Sequence, residues 1–369
     1  MVRTKGFVMA FSLSIYPWVY KAQYDGKGGW TEAFDEKPHK SSAEEDALSP
    51  AELQTLLAQR NSFPELPLVN YTTQYGMGCF EGLKAFPQPD GSLKLFRPDR
   101  NGARMQRSME GLMMPGYPAG LFVEAAKGVI ARNAALGFRP QFDPSWEKDL
   151  FANASAVYLR PFSYSEPAIG LGLSTTPWVV MVGTPVSAYF KEGSTAAVTT
   201  DRIRATPKGT GWIKCDANYV IPTLAKKQAE AAGYMEAIFL DPKTQKYVEE
   251  GSSCNFFVLL KNGTLVTPEL GDTILPGITR DSILTLARDL GIKTEERKLE
   301  VKEVLDKGRE CFVTGTAAGI SFLESLTHKH KTALFAGGKM GEVTRELQRN
   351  LKGIQYGTLP DKHGWMYSV

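Results

Sequence analysis

The stretch TILPGITRD, Thr273 to Asp281, leads a Pro-Gly pair straight into the most regular apolar periodicity of the chain. Ile283, Leu284, Leu286, Ala287 and Leu290 recur on one helical face and Gly291 supplies a stop, so a helix is expected over 281–290. The amides of Ile278 and Thr279 then sit at a helix N-terminus, where free N–H groups and the positive dipole end favour an anion such as phosphate. Gly277 lets a ligand come close to the backbone. Many helices begin after Pro-Gly and bind nothing, so this cradle needs company before it carries a function.

Two segments upstream supply that company. GTGWIKCDANY (209–219) places Lys214 in a Gly-rich loop just before a helix expected over Asn218 to Ala232. An amine kept among apolar neighbours such as Trp212 and Ile213 is a usable nucleophile or base, whereas a solvated loop lysine does nothing special. The GTG is not a nucleotide P-loop, because no Gly-Lys-Ser/Thr follows it. YVEEGSSCNFF (247–257) sets Glu250 before a glycine turn and Asn255 at the head of an apolar strand. A buried carboxylate there holds a ring nitrogen protonated; a surface one is merely a turn acid. A phosphate cradle, an amine and a ring-nitrogen partner together are the parts a pyridoxal phosphate site requires.

Their order and spacing resemble the class IV (D-amino-acid/branched-chain) aminotransferases, through Glu250-x-Ser252-x-x-Asn255-Phe256-Phe257, then Leu265-x-Thr267, then Leu275-x-Gly277-Ile278-x-Arg280. YGMGCFEGLKAF, from Tyr75 to Phe86, resembles the Y-x-x-x-x-F-E-G segment of the branched-chain members. Phe96-Arg97-Pro98 through Ala103-Arg104-Met105 is similar to the family's phosphate-arginine helix. Tyr158-Leu-Arg160-Pro looks like its substrate strand, and Gly315-Thr-Ala-Ala like its carboxylate-binding turn. The resemblance covers residues 16–369.

It implies an α+β chain of fold type IV among pyridoxal-phosphate enzymes. A small N-terminal α/β domain (1–182) and a linker (183–193) would precede a larger β-barrel-like domain with flanking helices, 194–369. It also implies roles. Lys214 would hold the cofactor as a Schiff base and move the proton, with Tyr219 facing the phenolic oxygen and Glu250 the ring nitrogen. Arg204 would support the Tyr219 side. Arg104, the Ile278 and Thr279 amides and Thr316 would take the phosphate. The substrate α-carboxylate would meet the Thr316 and Ala317 amides and the Tyr158 hydroxyl, and Arg160 the distal carboxylate of glutamate. Tyr75, Phe80 and Tyr219 would form an apolar wall, and Leu173 in the loop AIGLGL would reach the neighbouring subunit of a homodimer. The reaction implied is ping-pong transfer of an amino group from branched-chain L-amino acids to 2-oxoglutarate, giving branched 2-oxo acids and glutamate.

Two departures stand out. The Cys-x-x-Cys redox pair of some eukaryotic members is absent after the carboxylate turn, where the chain reads Thr316-Ala-Ala-Gly-Ile-Ser, so that regulation is not expected. The lysine loop carries Asp216 where relatives more often have glycine, adding a negative charge to the pocket.

Composition narrows the alternatives. The 369 residues are 43% hydrophobic and 22% charged with net charge +3, a balance with no clustered basic footprint for nucleic acid or an anionic membrane. Cys79, Cys215, Cys254 and Cys311 are scattered, a spacing that suggests neither a disulfide framework nor a Cys-based zinc site and makes reduced thiols in the cytoplasm the expectation. His328 and His330 lack partners to complete a ligand set, so no metal is expected. Arg3 and Lys5 precede an apolar run over 7–20, but Ser12, Ser14 and Pro17 interrupt it; an early strand is expected rather than a secretory signal. A D-amino-acid or aromatic aminotransferase, or an aminodeoxychorismate lyase, shares the Lys, Glu and phosphate motifs; the first and last lack the Tyr158/Arg160 and Tyr75/Phe80 combination. A thiol hydrolase on Cys215 or Cys254 needs a histidine base that is not near in sequence.

Overall fold

The computed structural model describes residues 14–187 and 195–369. Six strands of the first half are β1 (Trp18–Tyr24), β2 (Trp30–Glu36), β3 (Leu83–Pro87), β4 (Leu93–Phe96), β5 (Ala156–Tyr164) and β6 (Trp178–Val186). They pair antiparallel in the order β4-β3-β5-β6-β1-β2. The Pro-Asp-Gly turn joins β3 to β4, with Gly91 at φ 81° where a side chain would be strained.

Helices Pro98–Gly111 and Ala119–Ala135 cover this sheet. Their buried faces (Met105, Met109, Phe122, Ala126, Val129, Ile130) interdigitate with Tyr20, Leu83, Leu95, Leu159 and Met181 in one core. Each large apolar side chain fully removed from water contributes roughly 1.5–3 kcal/mol, so this packing is what fixes β3 and β5, the two strands that present site residues.

The second half builds a branched sheet from β7 (Ala197–Thr199), β8 (Glu236–Leu240), β9 (Val248–Gly251), β10 (Asn255–Leu260), β11 (Leu265–Thr267), β12 (Thr294–Glu296), β13 (Gly308–Gly315), β14 (Gly319–Leu323), β15 (Ser325–His328) and β16 (Lys331–Leu334). Its main path runs β12-β11-β10-β9-β8-β7-β15-β16, and β13 pairs with both β10 and β14. The sheet therefore forks at β10, whose six residues are all buried, as a strand covered on both faces must be. The last strand, β17 (Met366–Ser368), returns to the first sheet and pairs with β4.

The helix read from the apolar periodicity is present, with Ile283, Leu284, Leu286 and Ala287 packed against Leu347, Leu351 and Ile354 of the helix Glu342–Gln355. It begins at Ile278 rather than Asp281, because Gly277 is extended and its carbonyl already accepts from Asp281 N–H. Two further readings need correction. Residues 183–186, taken as the start of a linker, continue β6 opposite β5 out to the pair Ala156–Val186. Ile203, which the sequence places in a strand, lies outside any regular element. The strand expected over 7–20 falls partly outside the described residues, as does the rest of the proposed linker; β1 starts at Trp18.

Candidate active site

Lys214 lies between the two sheets, and its backbone is held by the first. Its N–H donates to Ser108 Oγ at 3.0 Å, and its carbonyl accepts from Phe80 N–H at 3.1 Å. The side chain then points along the aromatic faces of Phe80 and Tyr219, 4.7 and 5.0 Å from the ring centroids. Its Nζ meets Tyr219 Oη at 2.5 Å. The turn Asp216–Tyr219 carries Tyr219 back over Lys214, and the Phe80 and Tyr219 rings pack at 4.8 Å.

Around this pair opens a cleft of about 640 Å³. Tyr158 and Arg160 enter it from β5, Phe80 from the segment before β3, and Thr316 and Ala317 from the turn joining β13 to β14. Arg160 Nη2 donates to Tyr158 Oη at 2.9 Å, and its guanidinium lies 4.7 Å over the Phe80 ring. Phe162, Tyr164 and Asp216 also line the cleft. Phe162 and Tyr164 were not read as site residues, although alternation along β5 from Tyr158 and Arg160 put them on the same face. Tyr75 and Leu173 do not border the cleft of this chain; both are exposed, Tyr75 ending a one-turn helix and Leu173 in the loop before β6.

The helix Ile278–Asp289 has no side-chain cap on its first-turn amides among the described residues. Ile278 and Thr279 line a small cavity together with Thr316, Lys84 and Asn101. Gly277 leaves no room for a side chain, since a Cβ there would stand 2.0 Å from Asn255 Oδ1. An uncapped helix start and a threonine hydroxyl suit an oxyanion. Arg104 stands at the same helix start, but its guanidinium is seated by Glu81, with Nε–Oε1 at 2.6 Å and Nη2–Oε2 at 2.9 Å, while Nη1 donates to the Pro276 carbonyl at 3.1 Å. The Arg104 charge beside it holds the buried Glu81 carboxyl below its usual range, against the upward push of burial.

Glu250 is buried at the start of the turn before β10. Its Oε1 accepts from Arg204 Nη1 at 2.8 Å and from Leu275 N–H at 3.0 Å, and its Oε2 from Asn255 Nδ2 at 3.2 Å. Burial pushes this carboxyl up, and Arg204 foremost pulls it back. Arg204 thus engages Glu250, not the Tyr219 side of the site as the sequence suggested. The thiols offer no rival nucleophile: burial raises Cys215 and sends Cys254 well above the usual thiol range, and none of the four histidines borders the cleft.

An amine against a phenol, a charge-compensated carboxylate and an uncapped helix start at an oxyanion-sized cavity fit pyridoxal phosphate. Arg160 Nε and Thr314 Oγ1, buried without partners among the described residues, leave further donors near the cleft.

Residues 78–326 match the amino-transferase class IV family. The chain is 39% identical over 304 residues to the branched-chain-amino-acid aminotransferase of Mycolicibacterium smegmatis, covering 79% of this chain and 80% of that one. The branched-chain aminotransferase of Escherichia coli superposes with a TM-score of 0.69 at 27% identity, over 82% of this chain and 94% of the other. A T.th. branched-chain amino acid aminotransferase, solved in complex with N-(5'-phosphopyridoxyl)-L-glutamate, gives 0.67 at 27% identity over 82% and 93%. The chain belongs to the class IV aminotransferases, in their branched-chain-amino-acid branch.

Proposed function

We propose that this protein moves the α-amino group of leucine, isoleucine or valine to 2-oxoglutarate in a ping-pong cycle, with Lys214 as the covalent anchor of its cofactor and the proton carrier. The cofactor is pyridoxal phosphate, which when bound supplies the electron sink that makes the substrate Cα–H acidic. The observation that carries the reading is the contact between Lys214 Nζ and Tyr219 Oη at 2.5 Å on the floor of the cleft. The Lys214 amine would move the proton between the substrate Cα and the cofactor C4′, with the Tyr219 hydroxyl as its hydrogen-bond partner. Glu250, fixed by Arg204, Asn255 and Leu275, is the partner of the ring nitrogen. Arg104, the amides of Ile278 and Thr279, and Thr316 hold the phosphate.

The substrate α-carboxylate is bound by the Thr316 and Ala317 amides and the Tyr158 hydroxyl. Phe80 and Tyr219 exclude water from an apolar side chain, and Arg160 receives the distal carboxylate of glutamate. The working unit is a homodimer in which the loop carrying Leu173 reaches the other subunit's cleft. Two domains, divided after the end of β6, flank the site, and the enzyme acts in the cytoplasm. Among the described residues, no helix is long and apolar enough to cross a membrane.

The test is the purified protein with L-leucine and 2-oxoglutarate. The wild-type chain absorbs in the near-visible and loses that band on adding leucine; Lys214→Ala loses the band and turnover together. Full turnover in Lys214→Ala overturns the reading. The aromatic lining of Phe80, Phe162 and Tyr164 favours a second reading, phenylalanine-type donors, which a panel of L-amino acids separates by kcat/KM.

A further inference from the structure

Among the described residues, the cleft is lined by one carboxylate and no imidazole. Asp216 follows Lys214 by two residues, in the turn that carries Tyr219, and borders the same cavity as Arg160. Its position is set from two sides. The Asp216 N–H donates to the Gly78 carbonyl at 2.9 Å. Its Oδ2 lies so close over Gly78 that a Cβ there would come within 2.3 Å of it. Among the described residues the carboxylate accepts no hydrogen bond, and the charges acting on it are those of Arg160 on β5 and Lys214 on its own loop. The other titratable groups around it are phenols and thiols: Tyr158 and Tyr164 on β5, Tyr219 and Cys215 on its own segment, and Cys79 beside Gly78. Arg160 cannot turn away easily, being tied to Tyr158 Oη and stacked on Phe80.

We propose that Asp216 is a specificity-determining residue that weakens the cleft's hold on dicarboxylate substrates relative to monocarboxylates with apolar side chains. This rests on the reading of Arg160 as the seat of the distal carboxylate. A second carboxylate that approaches Arg160 also approaches Asp216, and like charges repel most where water is displaced. An apolar side chain brings no charge and meets a wall on which Arg160 and Asp216 offset each other. Asp216 thus favours the amino-donor half of the cycle over the half that uses glutamate and 2-oxoglutarate. A glycine at this position would leave the Arg160 charge uncompensated.

The experiment uses the holoenzyme and two non-reacting probes, glutarate and 4-methylvalerate, with Kd measured by calorimetry for wild type, Asp216→Asn and Arg160→Gln. The expected result is a ratio of Kd for glutarate to Kd for 4-methylvalerate about tenfold lower in Asp216→Asn than in wild type. The ratio of kcat/KM for glutamate to that for leucine should rise in parallel. A Kd ratio unchanged or raised in Asp216→Asn overturns the inference. Arg160→Gln separates the two claims: if it leaves the ratio as in wild type, the distal-carboxylate reading fails, while the Asp216→Asn ratio is still read by itself. Should Asp216→Asn not fold, wild type supplies the second measurement. Burial pushes the Asp216 carboxyl up to about 6, so the ratio should fall between about pH 8 and about pH 5.5 as the group takes its proton. A flat ratio across that interval overturns the inference as well.

Discussion

Lys84 Nζ, on β3, donates to the carbonyl of Ala317 at 2.5 Å, a bond between residues 233 apart that ties the first sheet to the turn joining β13 to β14 in the second. Lys84 is buried, and burial together with the charge of Lys352 pushes it well below the usual lysine range. With its carbonyl held from behind, the Ala317 peptide has little freedom to turn its neighbours' N–H groups away from the cleft. Lys84→Met removes that tie while keeping the side-chain length. KM for leucine and for 2-oxoglutarate should both rise about tenfold, because each carries an α-carboxylate, while kcat falls less. A rise confined to one substrate would contradict the role.

The Arg204–Glu250 pair is almost fully buried, at 2% and 3% side-chain exposure. Removing one member leaves the other charge stranded, which costs about 3–5 kcal/mol in such pairs. Arg204→Met should therefore lower stability to chemical denaturation by about that much. Adding Glu250→Gln should recover a large part of it. Additive losses in the double variant would show that the two do not act as a pair.

Glu81 seats Arg104 through two hydrogen bonds. Glu81→Ala should leave Arg104 without its fork partner and let the guanidinium wander from the helix start. Cofactor release, followed by loss of absorbance during dilution, should speed up about tenfold. Glu81→Gln, which keeps one acceptor, should fall between wild type and Glu81→Ala.

Glu249 offers a stability test with a defined sign. Its carboxyl is pushed up to about 7, from 4.5, first by burial; Thr273 opposes and Glu250 adds to the shift. Between those values the folded chain binds more protons than the unfolded one, so stability falls as pH rises through that window and stays reduced above it. Its Oε2 is buried without a hydrogen-bond partner among the described residues. Glu249→Gln should raise Tm at about pH 8 and do so less at about pH 5. Equal gains at both, in thermal melts followed by circular dichroism, would remove Glu249 as the cause.

The groups that line the cleft and the small cavity sharing Thr316 with it were legible because each sits in a short segment whose local geometry does the placing. Lys214 and Tyr219 are joined by one turn, Ile278 and Thr279 by a helix start, Tyr158 and Arg160 by strand alternation. What escaped the sequence are the contacts that hold these groups: Glu81 with Arg104, Arg204 with Glu250, Lys84 with Ala317. Such pairs have no period and no local signature: Glu81 and Arg104 meet where the segment before β3 packs on the helix Pro98–Gly111, Arg204 and Glu250 meet within the second half, and of the three pairs Lys84 with Ala317 alone joins the two sheets. The extension of β6 to Val186 was hidden for another reason. Gly183 and Pro185 look like linker residues, yet the β1 ladder ends at Met181, so the donor that Pro185 lacks falls where β6 pairs with β5 alone among the described strands.

The return of β17 to the edge of β4 has a consequence for biosynthesis. Arg97 N–H donates to the Trp365 carbonyl at 2.7 Å, and the Trp365 ring stacks edge-on to Phe96. The border strand of the sheet laid down first is thus supplied by residues that leave the ribosome after the whole second sheet has been made. A nascent chain stalled before Trp365 would display β4 as an open template for a stray strand, so the earliest-made half of the molecule is also among the last to be sealed.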